Sequence, residues 1–301
     1  INLFLACFLF VSFSSAQLKK LIEEGKDIDV KYLKPAEQEE YWKIMNARFK
    51  KASANGRTRA NARSIILSGN QVQTIIYDYA SISKPGLAAG QLIDLAWPKD
   101  PARAMGYGYE FGPIVGAQVR DTSGHTIRVV DDGFISTSDG SYEPGTDVPW
   151  GWMPTPGYVD EKQTNIATFN SQDANRDGKP DSWPESWYNP VLRRYVWPAF
   201  LGNDATTPDE EAYWVVDDYQ NFKPEQQIDG TGFGVYRPFP NDPTKGGLGL
   251  QMECRALQWN NPLAEDIVFF VYAVTNKSPK NLDTVYFGMF GDPHVGGAND
   301  F

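Results

Sequence analysis

Two cysteines and two histidines are all that 301 residues hold of the side chains most used for zinc binding and nucleophilic catalysis. Cys7 lies in an apolar leader-like run, and without that run Cys254 stands alone, so no internal disulfide can form. With only His125 and His294, a three-histidine zinc site and most His-dependent triads are difficult to assemble. No G-x-S-x-G, H-E-x-x-H or phosphate-binding glycine loop occurs. Basic charge is also scarce: the net charge is −10, which argues against a phosphate-binding surface and hence against nucleic acid as a partner. No apolar run approaches the ~20 residues that span a bilayer, so no membrane span is expected once the leader is removed.

That leader is residues 1–16. Leu3 to Phe13 is almost wholly apolar, and Ser14-Ser15-Ala16 supplies small residues before Gln17, the pattern of a secretory signal peptide. The basic n-region and the initiating Met are missing, so the sequence is expected to begin inside its reading frame. It is also expected to be truncated at the C-terminus, where Phe301 follows a glycine-rich stretch. An exported chain without disulfides must gain stability from its core or from bound metal.

What is abundant points to strands and turns. Gly 27, Pro 21, Trp 9, Tyr 15 and Phe 17 fit a mainly β chain rather than a helical one. Residues 17–63 read as a helix and a linker. Tyr41, Ile44, Met45 and Phe49 make one apolar stripe on a helix over 36–51, and 52–63 is polar and glycine-containing. From 64 to 301 we expect an antiparallel β-sandwich with long irregular loops rich in aromatics, Pro and Gly. Ser64–Leu67 and Gln71–Tyr79 flank a turn at Ser68-Gly69-Asn70. Phe111–Arg120 and Thr126–Asp131 form a second pair, and Leu250 to Ala256 alternates as a half-buried strand. Ile267–Thr275 is a continuous apolar run, expected to be buried on both faces, and Thr284–Phe290 follows as a third strand. Cys254 falls on an inward position and reads as a small core residue. Val129-Val130-Asp131-Asp132 and Val215-Val216-Asp217-Asp218 echo each other.

The segment from 133 to about 207 is irregular, and inside it lies Asp173-Ala174-Asn175-Arg176-Asp177-Gly178-Lys179-Pro180-Asp181. Oxygen-bearing side chains at alternate positions with a glycine at position six match a D-x-[DN]-x-[DN]-G calcium loop. Asp173, Asn175, Asp177 and Asp181 would be side-chain ligands and Lys179 a backbone-carbonyl ligand, its charge pointing outward. Position twelve is Pro184 rather than Glu, and nearby prolines forbid an EF-hand exit helix. Over these nine residues the chain resembles the solitary calcium loops of dockerins and thrombospondin type 3 repeats, which implies a structural ion.

A second resemblance rests on order. Tyr107-Gly108-Tyr109-Glu110-Phe111-Gly112-Pro113, then Trp150-Gly151-Trp152, then the Asp loop, then Gly291-Asp292 with Val295-Gly296-Gly297-Ala298-Asn299-Asp300 is similar to the N-terminal part of large exported Gram-negative proteins. Those proteins end in a type IX secretion sorting domain and are mostly of unassigned function. The resemblance implies a secreted, extracellular or outer-cell-surface location.

Two function classes follow. One is a calcium-stabilised β-domain with a structural, adhesive or carbohydrate-binding role, its partner a glycan or cell-surface polymer. The other is a secreted hydrolase of the glycosidase kind, which needs only two carboxylates. Asp131, Asp132, Asp217, Asp218, Glu110 and Glu185 are candidates for such a pair. The tryptophans, Trp150, Trp152, Trp183, Trp187 and Trp197 among them, either stack on sugars or pack the loops that lack regular structure. The packing role is the expected one.

Overall fold

The computed structural model describes residues 14–23, 33–41, 43–44, 62–84, 87–88, 91–100, 103, 105–121, 124–133, 151–160, 162–221, 226–227, 233–234, 236–242 and 245–293. Strands dominate, and every named pairing is antiparallel.

One sheet is built on the long strand Gly108–Arg120, which lies between Thr126–Asp131 and Thr284–Pro293. Ile82 bridges this strand at Phe111 to the hairpin formed by Ser64–Leu67 and Thr74–Tyr77. The second sheet runs Ala167–Thr168, Glu210–Asp217, Leu250–Gln258, Phe269–Asn276, with Met153–Pro154 also laid on Glu210–Asp217.

Side-chain alternation fixes how the sheets meet. Thr126–Asp131 reads exposed, buried, exposed, buried along its length, because successive residues point to opposite faces. Val115, Ala117, Val119, Ile127 and Val129 of the first sheet therefore face Trp214, Val216, Met252, Cys254 and Ala256 of the second across one core. That is the expected β-sandwich. Cys254 is buried in it, as its alternating position implied.

Glu210–Asp217 is buried on both faces. Ala212, Trp214 and Val216 enter the sandwich core, while Tyr213 and Val215 meet Val159, Ala167, Trp183, Trp197 and Ala199 on the opposite side. The irregular segment thus forms a third layer on the second sheet. Its own aromatics fill it: the rings of Trp183, Trp187 and Trp197 lie 5.3–5.8 Å apart, centroid to centroid. A segment without regular hydrogen bonding is held this way by its side chains.

The structure corrects the reading of one strand and places another. Phe269–Asn276 is not buried on both faces. It is the edge of the second sheet, and Phe270, Tyr272 and Val274 only partly reach the core. An apolar run looks the same in sequence whether the sheet continues beyond it or ends there. Thr284–Pro293 does not pair with its predecessor but crosses to the first sheet, with Thr284 opposite Gln118. Its Val285, Tyr286, Phe287, Met289 and Phe290 stay 37–70% exposed.

At the N-terminal end, helix Ser15–Glu23 spans the expected leader junction at Ala16. Residues 35–41 and 43–44 are helical, and Tyr41 of the expected stripe is buried; Met45, Phe49 and residues 51–61 of the linker lie outside the described residues, as do 1–13 with Cys7. Among the described residues no helix is long and apolar enough to cross a membrane.

Trp214 tests the sandwich core. Trp214→Ala removes a fully buried ring between the sheets and is expected to cost about 3–5 kcal/mol in equilibrium urea unfolding. Val191→Ala, at a site 87% exposed, should stay within about 0.5 kcal/mol of the parent chain.

Candidate cation loop and buried acid pair

The loop at 173–181 is wound tightly around its own acceptors. Arg176 and Gly178 take positive φ, 61° and 88°, and Gly178 supplies the bend without a Cβ penalty. Asp173 accepts from the Asp177 N–H at 3.1 Å and the Gly178 N–H at 2.9 Å. Asn175 Oδ1 accepts from Asp177 N–H at 3.0 Å, and Asp177 Oδ1 from Lys179 N–H at 2.9 Å. Asp173, Asn175 and Asp177 are thereby brought into one turn, with Asn175 and Asp177 exposed. Asp181 closes the neck through its own N–H to Gln172 C=O at 2.7 Å. Among the described residues no three His, Cys, Asp or Glu side chains form a group ready to hold a metal. Each ionised carboxylate offers about four lone-pair sites, so Asp173 and Asp177 keep acceptor capacity beyond the N–H bonds they already take.

Lys179 differs from expectation. Its ammonium turns inward, pairs with Asp160, donates to Trp183 C=O at 3.2 Å and lies 3.5 Å from Glu185 Oε1. Its side chain ties the loop to the tryptophan layer. Burial alone would push the Asp160 carboxyl up, but the Lys179 ammonium and the Lys162 N–H outweigh it and hold the pKa below the usual carboxylate value. Sequence gave no sign of Asp160, which lies well upstream of the motif. Beside it, Tyr195 donates to Glu185 at 2.5 Å, and that bond, with burial and Asp177 nearby, pushes the phenol up to about 12.

The chain matches no protein-family model, no curated protein and no solved structure.

The paired-carboxylate candidates gather elsewhere. Asp131, Asp132, Asp217 and Asp218 are 0–8% exposed and end the two echoing Val-Val-Asp-Asp segments, one in each sheet. The Asp131 and Asp218 carboxyls lie against one another, and Asn221 Nδ2 donates to Asp131. Asp218 also accepts from Leu248 N–H at 2.6 Å and Leu250 N–H at 2.8 Å. Burial, with a like-charged neighbour adding to it, pushes Asp131 up to about 7 and Asp218 well above the carboxylate range. Asp217 points away and accepts from Thr155 Oγ1 at 2.7 Å; Glu110 is buried beside Ser81. A glycosidase pair has to touch the scissile bond, and none of these carboxyls belongs to a residue more than 8% exposed. Glu185 is the exposed exception.

The tryptophans have the packing role: Trp152, Trp183 and Trp197 are buried and Trp187 half-buried, while Trp150 lies outside the described residues. His125 is an exposed turn residue with Nδ1 3.2 Å from Asp121 Oδ2. His294 lies outside the described residues. The Cys254 thiol is pushed up by burial, the opposite of an activated nucleophile.

Asp160→Asn tests the tie beneath the loop. Removing one partner of a pair this enclosed is expected to cost about 2–3 kcal/mol at pH 7. Because the folded-state pKa is depressed, the carboxylate's contribution is present above its unfolded value of about 3.9 and is lost as pH falls through the folded value. Urea unfolding at pH 7, 5 and 3.5 should therefore show the gap between parent and variant narrowing at the acid end.

Proposed function

We propose that this chain is a secreted or cell-surface β-domain in which the 173–181 loop binds a structural calcium ion, and that its role is structural, adhesive or glycan-binding. The observation that carries the reading is the loop conformation itself, with Asp173, Asn175 and Asp177 curled into one turn over a positive-φ Gly178. A hard cation wants six to eight oxygens, and it would relieve the repulsion of carboxylates held side by side in an exposed turn.

The placement supports a structural rather than catalytic ion. Lys179 couples the loop to Asp160 and Trp183, so fixing the loop also fixes the aromatic layer on the second sheet. Export is supported by the apolar leader with its small-residue junction and by a motif order that resembles that of type IX-secreted proteins. A glycan would meet rings such as Tyr188 and Phe169, which are exposed, rather than the buried tryptophans. The hydrolase alternative loses support from the burial of its nominated aspartates.

Thermal unfolding of the chain in calcium, in magnesium and in chelator tests the proposal. A site that binds only the folded state adds RT ln(1 + [L]/Kd), about 2.7 kcal/mol at a hundredfold excess over Kd. The midpoint should rise by about 5 °C in calcium and not in chelator, and Asp177→Ala should abolish the rise. An unchanged midpoint sinks the calcium reading; a rise that survives Asp177→Ala places the ion elsewhere.

A further inference from the structure

Two strands end at Asp131 and Asp217, and one acidic cluster ties the residues after each strand to the residues where the described chain resumes, two necks of the fold. The first neck, between 132 and 152, is tied by Trp152 N–H to Asp132 C=O at 2.7 Å and by Gly151 N–H to Asn221 Oδ1 at 2.9 Å. The second, between 218 and 250, is tied by the Leu248 and Leu250 N–H groups on the Asp218 carboxyl and by Gly247 N–H to Asn221 C=O at 2.7 Å. Gly247 has φ 68°, and a Cβ there would lie 2.4 Å from Asp218 O, so this approach requires glycine.

Asp131 and Asn221 join these necks across the sheets. Asp131 is fully buried and its Oδ2 has no hydrogen-bond donor. The group it meets is Asp218, already an acceptor twice over. Two carboxyl groups can make a hydrogen bond only if one of them carries a proton. The geometry points to a proton-operated clasp: one proton shared by Asp131 and Asp218 holds both necks together, and its loss loosens them.

The surroundings set the direction. Asp132 adds a like charge beside Asp131, the Tyr236 phenol senses the Asp218 charge, and Asp217 is turned away to Thr155. No cation acts on either member of the pair among the described residues. Folded-state pKa values raised above the unfolded ones give a contribution that is complete below the unfolded value of about 3.9 and is gone once pH has risen through the folded value, near 7 for Asp131.

Hydrogen exchange of the intact chain from pH 5 to 9, corrected for the intrinsic pH dependence of exchange, tests the clasp. Protection at the Gly151, Leu248 and Leu250 amides should fall with rising pH from pH 5, up to tenfold per unit, until the pair has lost its shared proton, and be level above that, as loss of one proton requires. The Ile127 amide, within the first sheet, serves as the control and should not follow. Asp131→Asn keeps the neutral form and should remove the fall; Asp218→Asn is the second variant should the first not fold. Flat protection to pH 9 in the parent chain, or a fall that persists in a folded variant, overturns the proposal. So does protection at pH 9 that disappears only on adding chelator, which would assign the pair to a metal ion.

Discussion

The structure depends on one strand being buried twice. Glu210–Asp217 sends Trp214 and Val216 into the sandwich and Tyr213 and Val215 into the tryptophan layer, so both cores are anchored to the same eight residues. Burial of apolar surface contributes about 25 cal/mol per Å², and a strand with no solvent face draws this from both sides. A layer of turns has too few regular hydrogen bonds to stand alone. It persists here because a sheet already stabilised from the other side offers it an apolar floor.

Polar ties then fix what apolar contact leaves loose. Glu211, on that strand, accepts from Trp197 Nε1 at 3.0 Å, from the Phe200 N–H at 3.0 Å and from Arg255 at 2.8 Å. Arg255 in turn lies over the Tyr213 ring, its guanidinium 4.1 Å from the ring centre. At the other end of the sandwich Asn70 accepts from Gln258 Nε2 at 2.8 Å and donates to Ile267 C=O at 2.8 Å, binding the first hairpin to the second sheet. Buried polar groups demand such partners, and each satisfied set admits fewer arrangements than apolar packing would. In a chain without disulfides among its described residues, these sets do the work of cross-links.

How much of this was legible in the sequence follows from the range of each interaction. The hairpin at 64–77, the 108–131 pair and the inward position of Cys254 are encoded by local alternation and turn residues, and those readings match the structure. The edge position of 269–276 was not legible, because an apolar run carries no mark of whether a neighbour lies beyond it. The inward turn of Lys179 depends on Asp160, and the meeting of Asp131 with Asp218 on two strand ends that only the fold brings together. The repeated Val-Val-Asp-Asp was visible; that its two copies end opposing sheets at one place was not.

The two kinds of stabilisation respond to different conditions. Apolar burial in the sandwich core is insensitive to ionic surroundings, whereas the loop at 173–181, the Lys179–Asp160 pair and the Asp131–Asp218 pair all act through charge. Charge placed at loop necks rather than in the core confines any response to protons or cations to those necks. Had the same carboxyls stood mid-strand in the core, each titration would have acted on the whole fold.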